Sequence, residues 1–247
     1  MTRVKIRIIQ LGASKHTDEW SFIKKLRRKG QSKLFEITKI DVISLSQSDH
    51  WGYSDSSLLE LISRKISEES DYTLCFIDYP LQSNFFVRRL SKNVGVATFY
   101  ETSNIFSESN IELKNFILLQ IYKIVILSKL DIGNGMEEIL QHYHDETRGC
   151  LFDMCGLKED IVISATNPKI CHDCESKLRK TLLDLDFFDT LTKELKQIKK
   201  TIYFRMTDWI KKHPFLALFI AISSSLIINI LSAFIYDAIR GFLTCYP

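Results

Sequence analysis

Residues 4–11, VKIRIIQL, alternate apolar and polar and then run apolar, the pattern of a strand entering a buried sheet. The loop from Gly12 to His16 leads to a predicted helix over 17–29, and FEITKIDVISL (35–45) reads as a second strand. Residues 54–69 place Leu58, Leu59, Ile62 and Ile66 on one stripe, which predicts a helix with Ser54 or Asp55 as N-cap. TLCFID (73–78) is a short apolar run of the buried-strand type; NFFVRRLS (84–91) is assigned to a short helix and VGVATFY (94–100) to a further strand. The stretch 111–130 is apolar on most faces, so it is a central core helix or a helix running into a strand. Strands alternating with helices give an α/β fold of layered sheet and helices, with a first domain over 1–140.

A different pattern begins after residue 180. Phe188, Leu191, Leu195, Ile198, Ile202, Met206 and Trp209 recur at steps of three and four, which predicts an amphipathic stalk helix within 181–212. Lys193, Lys196, Lys199, Lys200, Arg205, Lys211 and Lys212 occupy its other faces, so it suits a coiled coil, a helix lying on anionic lipid, or a helix packed on the domain. Pro214 to Tyr236 then carries no charge; at about 1.5 Å per residue it reaches roughly 34 Å, enough for a hydrocarbon core of about 30 Å. A transmembrane helix is assigned to 213–237 and a short tail to 238–247. Trp209 and Tyr236 mark its ends, and the basic residues before it, against Arg240 alone after it, place the N-terminal domain in the cytoplasm. The expectation is a single-pass, tail-anchored membrane protein whose partner is the lipid bilayer. Within the span Ala217, Ala221, Ser225, Asn229 and Ala233 recur at every fourth position, a ridge suited to close helix–helix approach and a homo-oligomer.

Composition refines this only slightly. The 247 residues include 26% charged side chains at a net charge of +3, so the chain before the span is soluble in character and can bury a core without disulfides. The first residues, MTRVKIRIIQ, lack a signal-peptide pattern, so a reducing compartment is expected. Lys24, Lys25, Arg27, Arg28, Lys29 and Lys33 form a basic run without interleaved aromatics; it reads as a solvated helix face, and nucleic acid is not expected as a partner. Ser14, Lys15 and His16 follow the first strand, where open α/β sheets hold ligands, but one glycine is no phosphate-loop signature and a plain connection is the stronger reading.

The chemistry concentrates between His142 and Cys174. Cys150-x4-Cys155 and Cys171-x2-Cys174 present two thiol pairs across a short loop, the layout of a structural zinc site with four soft ligands. A knuckle over 141–180, with Cys150, Cys155, Cys171 and Cys174 holding Zn2+, is therefore expected; ordinary half-buried cysteines or a disulfide pair are the competing reading. His142 and His144, with Asp145 and Glu146 beside them, make either a second small metal or acid–base site or a polar loop entering the knuckle. Arg148 is placed to meet a carboxylate such as Asp153.

From residue 72 to 174 the order of features resembles the archaemetzincin metallopeptidases. FIDYPL (76–81), NFFVRR (84–89), VGVATFY (94–100) and the two cysteine pairs stand in the family's order, over less than half of the chain. The resemblance implies a peptidase-like fold with a structural zinc. The family's third histidine immediately precedes the first cysteine, and Gly149 stands there; counted back, the HExxH positions fall on Ile139, Leu140 and Tyr143. Neither the ligands of a catalytic zinc nor its glutamate base are present at those positions, which implies a pseudoenzyme.

Together these readings give a non-catalytic, zinc-stabilised cytoplasmic domain that senses or docks a protein or small-molecule signal from the membrane. By domain arrangement it compares with a membrane effector of a prokaryotic stress or phage-defence system. The rival is a membrane-anchored, metal-dependent hydrolase acting through His142 and His144.

Overall fold

The structure is a computed structural model of the 247-residue chain that describes residues 2–30, 32–45, 51–66, 69–130, 142–181 and 185–244. It divides into two compact units, Met1–Lys200 and Thr201–Pro247.

The first unit is built on a five-stranded sheet in the order β2-β1-β3-β5-β4. Strands β1 (Val4–Leu11), β2 (Phe35–Ile43), β3 (Tyr72–Ile77) and β5 (Val94–Thr98) run parallel, and β4 (Val87–Ser91) closes one edge antiparallel to β5. Every residue of β3 and β5 is buried, as expected where helices cover both faces of a parallel sheet. Alternation divides each strand between two cores. Ile6, Ile8, Leu74 and Phe76 face α1 (Thr17–Lys29) and α4 (Leu113–Lys129); Ile9, Leu11, Cys75 and Ile77 face α2 (Asp55–Ser63).

Residues 84–91 do not form the expected helix. Ser83 and Asn84 both adopt φ of 57°, which breaks a helical entry, and the chain turns at 92–93 so that Val87 pairs with Ala97 and Arg89 with Gly95. The open edge of β5 thus decided against local periodicity. The helix expected over 54–69 ends at Ser63, with the Ser54 hydroxyl accepting from the Ser57 amide as its N-cap; residues 67 and 68 lie outside the described residues. The stretch 111–130 is a helix, α4, after the short α3 (Thr102–Glu108).

The loop after β1 folds onto its own carboxylate. Ser14 Oγ donates to Asp78 Oδ1 at 3.0 Å and the Lys15 amide to Asp78 Oδ2 at 2.9 Å, so these donors already hold an anion supplied by the chain. Lys24, Lys25, Arg27, Arg28, Lys29 and Lys33 are exposed, the solvated face that was expected.

The segment 141–180 is no separate lobe. Its α5 (Ile161–Thr166), α6 (His172–Thr181) and cysteines share the core that contains α4. The expected boundary at 140 lies outside the described residues, as do Ile139, Leu140 and Cys245. The stalk is also not one helix. Helix α7 (Leu185–Leu195) buries Phe187, Phe188, Leu191 and Leu195 in the first unit. Glu194 fixes it there, accepting from Ser32 Oγ at 2.7 Å, the Lys33 amide at 2.8 Å and the Tyr122 hydroxyl at 2.8 Å. The apolar stripe read across 188–209 therefore belongs to two helices with different surroundings.

The second unit contains α8 (Ile202–Lys212) and α9 (Pro214–Thr244), separated at His213, with Pro214 at the first position of α9, where its missing N–H costs no bond. Pro214–Tyr236 is long and apolar enough to cross a membrane and is not buried within the protein. Met206 and Trp209 of α8 meet Ala217 and Ala221 of α9 around an apolar groove. Two of the five small-ridge residues therefore face α8, while Ser225, Asn229 and Ala233 remain exposed.

Candidate metal centre

Residues 142–154 turn back on themselves. The His144 amide donates to the Phe152 carbonyl at 3.1 Å and the Met154 amide to the His144 carbonyl at 3.0 Å, pairing His144 beside Asp153. A second short pairing sets Cys150 against Lys169, with the Leu151 amide donating to Lys169 O at 2.9 Å and the Lys169 amide to Gly149 O at 3.1 Å. Gly149 has φ of 77°, a conformation that a side chain would strain. Helix α6 begins directly after Cys171 and carries Cys174 in its first turn.

These turns bring one imidazole and three thiols together. The ligand atoms of His144, Cys150, Cys171 and Cys174 all lie within 4.8 Å of one another. His144 Nδ1–H donates to the Glu146 carbonyl at 2.9 Å, leaving the Nε2 lone pair toward the Cys171 sulfur 3.5 Å away. This is the hydrogen-bonded orientation that metal-binding histidines use. Cys150 Sγ accepts from the Phe152 and Cys171 amides at 3.5 and 3.3 Å, contacts that favour a thiolate. Burial raises the Cys150 and Cys174 thiols. Burial acts the same way on Cys171, but hydrogen bonds from the Cys174 amide and from the Cys174, Cys150 and His144 side chains bring it down to about 7. Of the three thiols, Cys171 is the one shifted toward the thiolate.

Asp153 frames the cluster from the interior. It is fully buried, and its Oδ2 accepts from the amides of Arg148 and Cys150 at 3.0 and 2.8 Å and from Ser164 Oγ at 3.2 Å. Its Oδ1 lies 3.5 Å from His144 Nδ1. The Arg148 guanidinium instead meets Glu146 and Asp173, so the carboxylate expected for its side chain is engaged by its backbone.

Three of the four expected cysteines stand in this group, together with His144, which the sequence assigned to a separate site with His142. Cys155 is buried close by at φ 51°, and burial raises its thiol. His142 contributes its carbonyl oxygen, 3.9 Å from Cys174 Sγ, and burial and Lys177 lower the pKa of its ring. Among the described residues no second group of three potential ligands stands beside the first.

The fold and the cluster define a mixed α/β protein with a His/Cys cluster able to hold a metal ion and a long apolar C-terminal helix. No known protein-family profile and no curated protein sequence matches the chain. Among solved structures, archaemetzincin from Methanopyrus kandleri is similar at 13% identity and a TM-score of 0.44, covering 74% of this chain and 97% of that one. Archaemetzincin from Archaeoglobus fulgidus is similar at 14% identity and a TM-score of 0.45, covering 70% of this chain and 99% of that one.

Proposed function

We propose that this protein is a membrane-anchored, zinc-stabilised docking or sensing protein without peptidase activity, its first unit cytoplasmic and its 214–236 helix in the bilayer. The observation that carries the reading is the donor set. Three thiols and one imidazole within 4.8 Å of one another supply four soft donors, the number that a structural zinc ion takes when it keeps no open position for substrate. Cys150, Cys171, Cys174 and His144 would hold the ion, which supplies a fixed cross-link between α6 and the 142–154 turn. The rival hydrolase needs His142 and His144 to share a second metal, and the grouping of His144 with three cysteines speaks against that. Metal analysis of the purified full chain in detergent is expected to give one zinc per chain. Two metals per chain, with chelator-sensitive peptide cleavage lost in His142→Ala, would establish the hydrolase instead.

Self-association through the span is part of the same reading. With Ala217 and Ala221 facing α8, the surface left for a second copy centres on Ser225, Asn229 and Ala233. An Asn229 amide pairing across two helices contributes about 0.6–2 kcal/mol, enough to bias an association and too little to drive it alone. Single-cysteine crosslinking in membranes, with Cys245 replaced, is expected to peak at 225, 229 and 233 and to disappear in Ser225→Ile. An even pattern around the helix would mean that α9 is only an anchor.

A further inference from the structure

Helix α4 is apolar around most of its length, and three buried polar side chains interrupt it: Asn115, Gln120 and Lys123 are 2%, 2% and 6% exposed. A buried amide or ammonium without a partner is costly, so each needs an account. Asn115 has one, since Nδ2 donates to the Ala165 carbonyl at 3.0 Å. Gln120 Nε2 has no acceptor among the described residues. The Lys123 ammonium lies 5.9 Å from the centre of the Tyr143 ring, and no carboxylate among the described residues forms an ion pair with it. Burial holds its pKa down, against the pull of Cys155, Asp153 and Cys150.

Gln120 and Lys123 are one turn apart and line one wall of a cavity of about 360 Å³ between α4, the β3–β5–β4 edge and the turn carrying Cys155. Leu74, Val87, Ile124 and Leu127 supply apolar wall. The charged lining residues among those described are Arg88, Arg89, Lys123 and Asp55, and Asp55 is already engaged by the Arg88 guanidinium at 3.0 Å. The cavity therefore carries an excess of basic side chains, one amide donor without an acceptor among the described residues, and a greasy wall. Its volume lies at the small end of ligand pockets, about 300–1,000 Å³.

We propose that this cavity binds a small organic acid, with its anionic group on Lys123, an acceptor oxygen on Gln120 Nε2 and a compact apolar body against Leu74, Ile124 and Leu127. Carboxylate and phosphate share this chemistry. The apolar wall excludes a bare inorganic anion as the best occupant, since such an ion would leave that surface unmatched. As a signal the acid deepens the sensing role proposed above and rests on that reading for its purpose. Binding itself rests on the cavity, and its test is separate from metal content and from peptidase assays.

The test is titration of the zinc-loaded full chain in detergent with phenylacetate, phenyl phosphate, phenylacetamide and inorganic phosphate, followed by calorimetry. One of the two organic acids is expected to bind saturably, with phenylacetamide and inorganic phosphate at least about tenfold weaker. Whichever acid binds more tightly identifies the group. Lys123→Met is expected to weaken binding by about tenfold or more and Gln120→Leu by several-fold. Gln120→Leu should melt at or above the wild-type temperature, because it removes a buried amide donor that has no acceptor among the described residues. Leu127→Trp, which fills the cavity and leaves both donors in place, provides an independent block of binding should either polar variant fold poorly. Equal affinity for phenylacetamide and phenylacetate, unchanged binding in Lys123→Met, or no saturable binding of either acid up to about 20 mM would overturn the proposal.

Discussion

Cys150→Ser is expected to strip the metal from the protein and to lower the melting temperature of the first unit by more than about 10 °C. Structural zinc in small domains contributes apparent free energies of about 10–16 kcal/mol at neutral pH, and a domain of this size loses about 2–4 °C for each kcal/mol. Even a partial loss of that linkage is therefore large. Cys171→Ser, Cys174→Ser and His144→Ala should behave alike, since all four side chains converge within 4.8 Å. Cys155→Ser is the discriminating variant. Cys155 lies outside the group, so one zinc per chain should remain and the melting temperature should change little. Metal loss in Cys155→Ser with retention in His144→Ala would restore the four-cysteine set read from the sequence. Acid should also release the metal, because protons compete for the thiolates. In the metal-free protein the Cys171 contribution has a definite sign. Its folded pKa of about 7 lies below the ordinary 9.0, so the stabilisation is complete above pH 9 and is lost as the pH falls through 7.

Two arginines in the middle of α9 should release the protein from membranes. Leu226 and Ile227 are exposed on the helix, and each arginine at the centre of a span costs about 2.5–3.5 kcal/mol. Together they shift insertion by roughly 5–7 kcal/mol, about three and a half to five powers of ten. Alkaline extraction of membranes carrying the Leu226→Arg, Ile227→Arg double variant should recover the chain in the supernatant, with wild type in the pellet. Equal retention of both would mean that α8, with exposed Ile202, Tyr203 and Met206, holds the chain to lipid by itself. The zinc content of the released variant should equal that of wild type, because the cluster lies wholly within the first unit.

Local pattern was a good guide wherever a segment's own residues settle its structure. Strand β1, helix α1 and the apolar span follow from period and length alone, and the Ser54 cap follows from a hydroxyl standing before an apolar stripe. It was a poor guide where a distant partner decides. Residues 84–91 have a composition that suits a helix or a strand, and they became β4 because β5 offered an open edge. The stripe of 188–209 is continuous as a pattern, yet Glu194, held by Ser32, Lys33 and Tyr122, draws its first half into the core.

The same division runs through the metal centre. Thiols in pairs announce a soft-metal site, so its existence and its neighbourhood were legible from spacing. The place of His144 beside three of them was not. Spacing counts residues along the chain, whereas grouping depends on which side chains a turn points inward. The pairing of His144 beside Asp153 turned an imidazole toward Cys171. Gln120 and Lys123 left a sequence trace as well, two polar residues one turn apart on an apolar helix. Only the packed structure decided that both are buried and that the space before them is open, because burial depends on what the rest of the fold brings to that face.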